Sequence, residues 1–340
     1  MQIAQHRPVP ARQEQATTIH WPNESMSPRS TPMSNPTYQP LNFSIDDRLV
    51  DQHLTRLDLS SKNLRKIDKL PNNINFNVVL LDHNDITKVE QLDVLTHLIQ
   101  LSISHNRLID IRLIGRLKTL QKLNLSNNSL DSIDCLKSLP NLIMLNIAGN
   151  NIHNIGVLDA CHSLQSLDAS DNSIRQIEDL SHLTALKYLN LHKNLIDTLA
   201  FAPRYWPKSI HTLVISDNEI KDLSEISYLT QLIDLNTFYI HDNPCLFIIN
   251  DRHGYHQPFD YRPYILNWCL TIQNLDGTFI TRKESLKAEW LLSQGKGRSF
   301  RPGDHYELVQ YLIKICGTNA DEVNNFIILN LRFVLMSIFI

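Results

Sequence analysis

The chain has 340 residues, with 32 basic and 35 acidic side chains and a formal net charge of −3 at pH 7. This near-neutral balance, without a basic stripe, argues against a nucleic acid or an anionic membrane surface as the partner. Five cysteines are scattered along the chain with no C-x-x-C pair, which indicates a reducing compartment rather than a disulfide framework.

The first segment, residues 1–48, contains seven of the fifteen prolines and many Gln, Ser and Asn residues, and it shows no hydrophobic periodicity. Because such a composition buries too little apolar surface to offset the cost of ordering, we expect a disordered leader. The first twenty residues have no apolar core stretch, so no signal peptide is expected.

Asparagine then recurs at intervals of 22 residues, each time within the pattern L-x-x-L-x-L-x-x-N-x-L. The phased asparagines are Asn84, Asn106, Asn128, Asn150, Asn172 and Asn194, followed by Asn218 and Asn243. This is the leucine-rich repeat signature of the 22-residue cytosolic type, in which stacked units share one apolar core. We therefore predict an α/β solenoid of about nine units over residues 49–249, closed by a helical C-terminal cap.

The asparagine column is predicted to be structural. Where each strand turns toward the convex side, the amide can pair with backbone groups of adjacent turns that would otherwise be buried without partners. A ligand-binding ladder is the alternative, but buried polar groups usually serve the scaffold. The convex segments place apolar residues at every third position, as in Leu130, Ile133 and Leu136. This spacing favours 3₁₀ or single-turn helices.

After Asn243 the repeat pattern ends, and residues 250–317 predict a helical cap over the open end of the apolar stack. The residues that indicate this cap are Tyr261, Arg262, Trp268, Leu275 and Asp276. A glycine follows Asp276, and the pair predicts a tight turn.

Two longer helices are predicted inside the cap. Thr281 with Glu284 forms a capping box that opens a helix through residue 292, and Asp304 with Glu307 opens a second helix that ends at residue 317. Between them, residues 295–298 read Gly-Lys-Gly-Arg. This run lacks the order of a nucleotide-binding loop, and we interpret it as a mobile linker.

Residues 318–340 form an atypical tail, of which residues 326–340 are mostly apolar. As a helix, the apolar part would span about 22 Å, which is short of the ~30 Å hydrocarbon layer of a bilayer. We expect this tail to be the product of an alternative or truncated transcript rather than a membrane anchor.

The outward positions of the strands predict a binding face. We expect the apolar and aromatic members of this face, including Val78, to be exposed, as is typical of interface anchors. The candidate partner contacts are Leu80, Met144, Asp168, Tyr188, Lys193, Val214 and Tyr239. Within this set, Tyr188, Lys193 and Asp168 are predicted to form one docking patch.

The sequence predicts no metal, cofactor or catalytic site. His83 and His105 occupy the same position in adjacent repeats, so their rings are expected about 5 Å apart. Zinc would need a third ligand, and Asn127, the next residue in that column, is a poor one. No G-x-S-x-G, H-E-x-x-H or paired-cysteine motif occurs in the sequence.

The segments 261–269, 283–291, 293–298 and 301–303 resemble the centrosomal protein of 97 kDa family, and the resemblance extends over about residues 49–316. It implies a non-enzymatic scaffold that caps the distal end of the mother centriole together with a large coiled-coil protein and restrains primary-cilium assembly. It also implies a place in the cytoplasm and cytoskeleton, at the centrosome, the centriole and the cilium base.

The resemblance has limits. The family continues into a long region with a calmodulin-binding IQ motif and coiled-coil stretches, and this sequence has neither, so calmodulin binding is not implied. We expect a form truncated after the cap. The alternative function is a phosphatase-regulatory repeat subunit, as for other 22-residue cytosolic repeat proteins. The acidic and aromatic column of such a subunit is interrupted here by Asn124, Asn146 and Asn190.

Overall fold

The computed structural model describes residues 55–67, 75–92, 94–158, 160–249 and 256–317. The predicted leader and the predicted apolar tail lie outside these residues. Everything described belongs to one unit, Tyr38–Ile340, and the other unit, Met1–Thr37, lies outside the described ranges.

Each leucine-rich copy contributes one short strand. In the described part of the chain these strands are β1 (Arg56–Asp58), β2 (Val78–Leu80), β3 (Gln100–Ser102), β4 (Lys122–Asn124), β5 (Met144–Asn146), β6 (Ser166–Asp168), β7 (Tyr188–Asn190), β8 (Thr212–Val214) and β9 (Thr237–Tyr239). Neighbouring strands pair in parallel, and Leu123, Leu145 and Leu167 lie opposite one another in successive strands. The prediction of an α/β solenoid is therefore confirmed.

The consensus leucines form one shared interior. Leu123, Leu145 and Leu167 are fully buried in the same cluster that contains the leucines and isoleucines of the convex side. Burying one such side chain contributes roughly 1.5–3 kcal/mol, so each unit stabilises its neighbours. Short helices cover the convex side, as predicted: 3₁₀ helices at Arg112–Arg116, Asp134–Ser138 and Leu223–Leu229, and the α-helix α1 (Ala202–Tyr205).

The phased asparagines bridge adjacent turns. The Oδ1 atom of Asn128 accepts a hydrogen bond from the N–H of Leu108 at 2.9 Å. Its Nδ2 atom donates to the carbonyls of Ile103 and Leu125, both at 2.9 Å. Asn150 makes the same three kinds of bond one repeat later. The structural interpretation of the asparagine column is confirmed.

The sheet continues beyond the last repeat. Strands β10 (Phe247–Ile249) and β11 (His256–Pro258) form a separate antiparallel pair. Strand β12 (Asn274–Leu275) adds to β9 in parallel, and β13 (Thr278–Phe279) pairs antiparallel with β12 and forms the last edge of the sheet. Asp276 and Gly277 join β12 to β13, with φ angles of 50° and 76°. Positive φ at both central residues is the requirement of a two-residue type I′ hairpin turn.

Asp276 ends the hydrogen-bond ladder of the repeats. In the repeats, the N–H after a strand donates to a carbonyl of the next strand, as Ile215 does to Tyr239 at 2.9 Å. After β9 the carboxylate of Asp276 replaces that carbonyl, because its Oδ1 atom accepts from the N–H of Ile240 at 2.7 Å. Its Oδ2 atom accepts from the hydroxyl of Tyr261 at 2.7 Å.

Three helices complete the cap: α2 (Arg262–Trp268), α3 (Arg282–Ser293) and α4 (His305–Gly317). The guanidinium of Arg262 joins α2 and α3 to the sheet, since Nη1 donates to the carbonyl of Leu275 at 2.7 Å and Nε donates to Glu284 at 2.5 Å. The capping box between Thr281 and Glu284 is present, as predicted. Among the described residues, no helix has the length and apolarity needed to cross a bilayer.

The interpretation of residues 295–298 as a mobile linker was wrong. Lys296–Arg298 forms a 3₁₀ helix, and the Arg298 guanidinium lies over the ring of Trp268, 5.0 Å from its centroid. The same guanidinium donates to the side chain and the carbonyl of Asn267. A Cβ atom at Gly297 would lie 2.9 Å from the Asn267 side chain, so the glycine allows this close approach. The segment is held by a stacked arginine that its glycine-rich composition does not indicate.

Replacing Asn128 with alanine should lower the free energy of unfolding by about 1–3 kcal/mol, because it leaves the N–H of Leu108 and the carbonyl of Ile103 in the preceding turn without this partner. Asn151→Ala is the matched control, since the Asn151 side chain is exposed and accepts a hydrogen bond from the hydroxyl of Ser173 rather than from the backbone. Urea unfolding of both variants measures the difference. Equal losses would contradict a structural ladder.

Asp276→Ala should destabilise the protein more than Asp276→Asn. The alanine leaves the N–H groups of Ile240 and His241 and the hydroxyl of Tyr261 unpaired, at a cost of about 1–3 kcal/mol for each buried group. The asparagine keeps an oxygen that can accept from both N–H groups. Urea unfolding measures the stability that each variant loses, and hydrogen exchange at the Ile240 amide reports whether its hydrogen bond is kept. Identical behaviour of the two variants would show that the carboxylate does not end the ladder.

Candidate protein-binding face

The strand register arranges the outward side chains in two columns. One column runs through Arg56, Val78, Gln100, Lys122, Met144, Ser166, Tyr188, Thr212 and Thr237. The second runs through Asp58, Leu80, Ser102, Asn124, Asn146, Asp168, Asn190, Val214 and Tyr239. We call the surface formed by these two columns the strand face. Successive members of a column are one strand spacing, about 4.8 Å, apart.

The prediction that the apolar side chains of the strand face are exposed was wrong for most of them. Val78, Leu80, Tyr188 and Val214 are all buried, and Val214 has no exposed surface. Strand alternation only places these side chains on the outer side of the sheet. Neighbours at one strand spacing on either side then reduce their exposure, as Asn190 and Tyr239 do for Val214.

Asp168 is buried within a hydrogen-bonded cluster. Its Oδ1 atom accepts from the hydroxyl of Ser170 at 2.7 Å, from the N–H of Ser170 at 3.1 Å and from the amide of Asn190 at 2.9 Å. Burial raises the pKa of Asp168, and these hydrogen bonds act in the opposite direction. The carboxylate therefore orders the chain where β6 ends and is not exposed for a partner.

The three residues of the predicted docking patch do not share one contact. Lys193 is exposed, and its ammonium lies 2.9 Å from the carboxylate of Asp171 rather than pairing with Asp168. The hydrogen bond to Asp171 raises the pKa of Lys193. Because Tyr188 and Asp168 are buried, Lys193 is the member of this patch that reaches solvent.

Two further candidates keep part of their surface exposed. Met144 and Tyr239 are both half-buried members of the strand face. Burial raises the pKa of Tyr239, whose ring meets the edge of His241 at a centroid distance of 6.3 Å. Accessible surface among the seven candidates is therefore found at Met144, Lys193 and Tyr239.

The adjacent histidines stack as their repeat positions predict. The ring centroids of His83 and His105 lie 4.3 Å apart with an interplanar angle of 9°. A ring nitrogen of His105 lies 3.3 Å from the amide of Asn127. Burial lowers the pKa of His105, and the charge of His83 acts in the same direction. The described residues contain no group of three or more His, Cys, Asp or Glu side chains that could hold a metal ion.

The five cysteines are unpaired thiols. Burial raises the pKa of Cys135 and of Cys316 to about 11, and that of Cys269 to about 12. A raised pKa keeps a thiol protonated near neutrality, and the protonated form is a poor nucleophile and a poor metal ligand.

The sequence interpretation missed Phe279, which is 77% exposed on the edge strand β13. A signal for it was present. The Asp276–Gly277 pair is typical of a two-residue hairpin turn, so the residues after it are predicted to form a second strand at the end of the sheet.

Comparison with known proteins agrees with this architecture. Residues 144–301 match the family described as "Leucine-rich repeat", and residues 118–160 match the family described as "Leucine Rich repeats (2 copies)". A chain in the crystal structure of the mouse RP105/MD-1 complex superposes with a TM-score of 0.53 at 20% identity. That superposition covers 69% of this chain and 40% of the other. At such low identity, this likeness shows the fold alone.

Curated relatives share more sequence. The human protein named "Centrosomal protein of 97 kDa" is 47% identical over 125 residues, which cover 37% of this chain and 14% of the relative. The Xenopus laevis protein of the same name is 52% identical over 84 residues, covering 25% of this chain and 10% of the relative. The match thus spans about a seventh of the length of the human protein. The chain thus contains a segment that matches leucine-rich repeats, and over about a third of its length it is homologous to curated proteins named centrosomal protein of 97 kDa.

Proposed function

We propose that this chain is a non-enzymatic protein-interaction scaffold of the centriole distal end and a negative regulator of primary-cilium assembly. The observation that carries the proposal is the 47% identity over 125 residues with a protein named for the centrosome. In the proposed role, the scaffold binds protein partners, among them a large centriolar coiled-coil protein.

The architecture supports a scaffold in a specific way. Stacked repeats present one continuous sheet face, and such extended faces are the binding surfaces of solenoid proteins. Two titratable groups with raised pKa values, Asp168 and Tyr261, also serve the fold. Asp168 accepts hydrogen bonds from Ser170 and Asn190, and the buried hydroxyl of Tyr261 donates to Asp276. The local chemistry of these groups therefore stabilises the repeats and the cap.

We assign partner contact to Met144 and Tyr239 on the strand face and to Lys193 in the turn after β7, because all three retain exposed surface. Tyrosine is among the residues that often carry a large share of the binding energy at an interface, and methionine is enriched at interface cores. In this assignment the buried candidates Leu80, Asp168, Tyr188 and Val214 support the face from within.

A tagged copy of the chain should accumulate at centrioles in cultured ciliated cells. Its expression should also lower the fraction of cells that form a primary cilium after serum withdrawal. Fluorescence microscopy with a centriole marker and a ciliary marker measures both outcomes. A longer transcript that includes the downstream region is tested beside it. Diffuse cytosolic signal for both forms at matched expression would contradict the centriolar role.

The double variant Lys193→Ala, Tyr239→Ala should bind the coiled-coil partner about tenfold more weakly, the loss expected for removing contacts worth about 1.4 kcal/mol. The matched control is Lys208→Ala, Tyr306→Ala, because both side chains are exposed and lie outside the strand face. Titration of the purified proteins gives the affinities, and thermal melting shows that both variants fold. Equal affinity of the two double variants would show that the partner does not dock through Tyr239 on the strand face and the neighbouring Lys193.

A further inference from the structure

The last strand of the sheet leaves an aromatic side chain in solvent. Phe279 is 77% exposed on β13, and Thr278 beside it is exposed as well. Sheet edges in native proteins usually carry charged residues or are covered, because an open edge is a template for pairing with another chain. An exposed aromatic residue at this position therefore marks the edge as a candidate binding site.

The backbone of Phe279 also points to the open side. The N–H of Ile280 donates to the carbonyl of Gln273 at 2.8 Å, and Asn274 lies opposite Phe279. In an antiparallel pair, hydrogen-bonded and non-hydrogen-bonded positions alternate, so the Asn274–Phe279 pair is a non-hydrogen-bonded one. The N–H and C=O of Phe279 consequently point away from β12. One donor and one acceptor are available to an incoming strand.

The surface next to this edge is positively charged. Two residues separate the end of β13 from helix α3, and both Arg282 and Lys283 in the first turn of this helix are exposed without an ion-pair partner among the described residues. The nearby carboxylate of Glu284 is already paired with Arg262. The N-terminal end of the twelve-residue helix adds a partial positive charge. This arrangement is complementary to carboxylates.

We propose that β13 is a docking edge for an extended acidic segment of a partner protein. The segment adds as a further strand, exchanges backbone hydrogen bonds with Phe279, packs an apolar side chain on its ring and places carboxylates near Arg282 and Lys283. Strand addition of this kind obtains affinity from main-chain bonds and selectivity from side chains. A second copy of this chain is a poor occupant, because pairing β13 with itself would bring the two basic pairs together.

The inference does not depend on the centriolar role, because its test uses purified protein. The probe is a short fluorescein-labelled peptide of alternating valine and glutamate, compared with the same design carrying lysine for glutamate. We expect the glutamate peptide to give saturable fluorescence anisotropy, with little binding of the lysine peptide. Methylation of alternate backbone nitrogens of the glutamate peptide removes its donors along one edge and should weaken binding about tenfold. Hydrogen exchange at the Phe279 amide should slow when the unmethylated peptide binds.

Variants of the chain identify the site. Phe279→Ala and the double variant Arg282→Ala, Lys283→Ala should each weaken binding of the glutamate peptide about tenfold. Tyr306→Ala, which alters a similarly exposed aromatic residue on α4, should not. Because all these side chains are exposed, the variants are expected to melt like the parent chain. No saturable binding, equal binding of the two peptides, or no effect of Phe279→Ala would overturn the proposal. Self-association that Phe279→Ala abolishes would instead assign the edge to a second copy, and would also overturn it.

Discussion

Each turn of the solenoid depends on the next turn to satisfy its buried backbone groups. Asn84 shows the requirement at the first unit, where Lys62 stands in the asparagine position: Oδ1 of Asn84 accepts from the N–H groups of Lys62 and Leu64. Its Nδ2 atom donates to the carbonyl of Leu59, also in the previous turn. A single amide supplies both the acceptor and the donors, which neither a carboxylate nor an ammonium can do alone. The apolar core stabilises the stack, and this amide column keeps the stacked backbone paired.

The repeat period explains what the sequence predicted well. Strand positions, the buried leucines and the asparagine bridges follow from residues a fixed distance apart, so the pattern determines their register. Exposure on the strand face does not follow from that register. Whether Val214 reaches solvent depends on the side chains of the strands on either side, and the ion pair of Lys193 is made with Asp171, one repeat earlier. Alternation along one strand carries no information about such crowding between strands.

In the cap as well, features set by neighbouring residues were predicted correctly, whereas contacts between residues far apart in the sequence were not. The capping box of Thr281 and Glu284 is a local motif, and it was predicted from two residues three positions apart. The stacking of Arg298 on Trp268 joins residues 30 positions apart, and composition near the arginine suggested a loop instead. Contacts of this length depend on how α2 and α3 pack, which no periodic pattern in the cap encodes.

The cap covers the edge of β9 but leaves a new open edge at β13. Without the cap, β9 would present a parallel edge of three residues beside an apolar core. A carboxylate oxygen of Asp276 accepts a hydrogen bond from the N–H of Ile240, the first residue after β9. The turn that begins at Asp276 then reverses the chain, so that β13 pairs antiparallel with β12. The remaining edge is two residues long, with the capping box at Thr281 terminating it. Because only Phe279 directs backbone groups outward from this edge, the cap limits strand addition to one short position, and the basic start of α3 restricts which segments can occupy it.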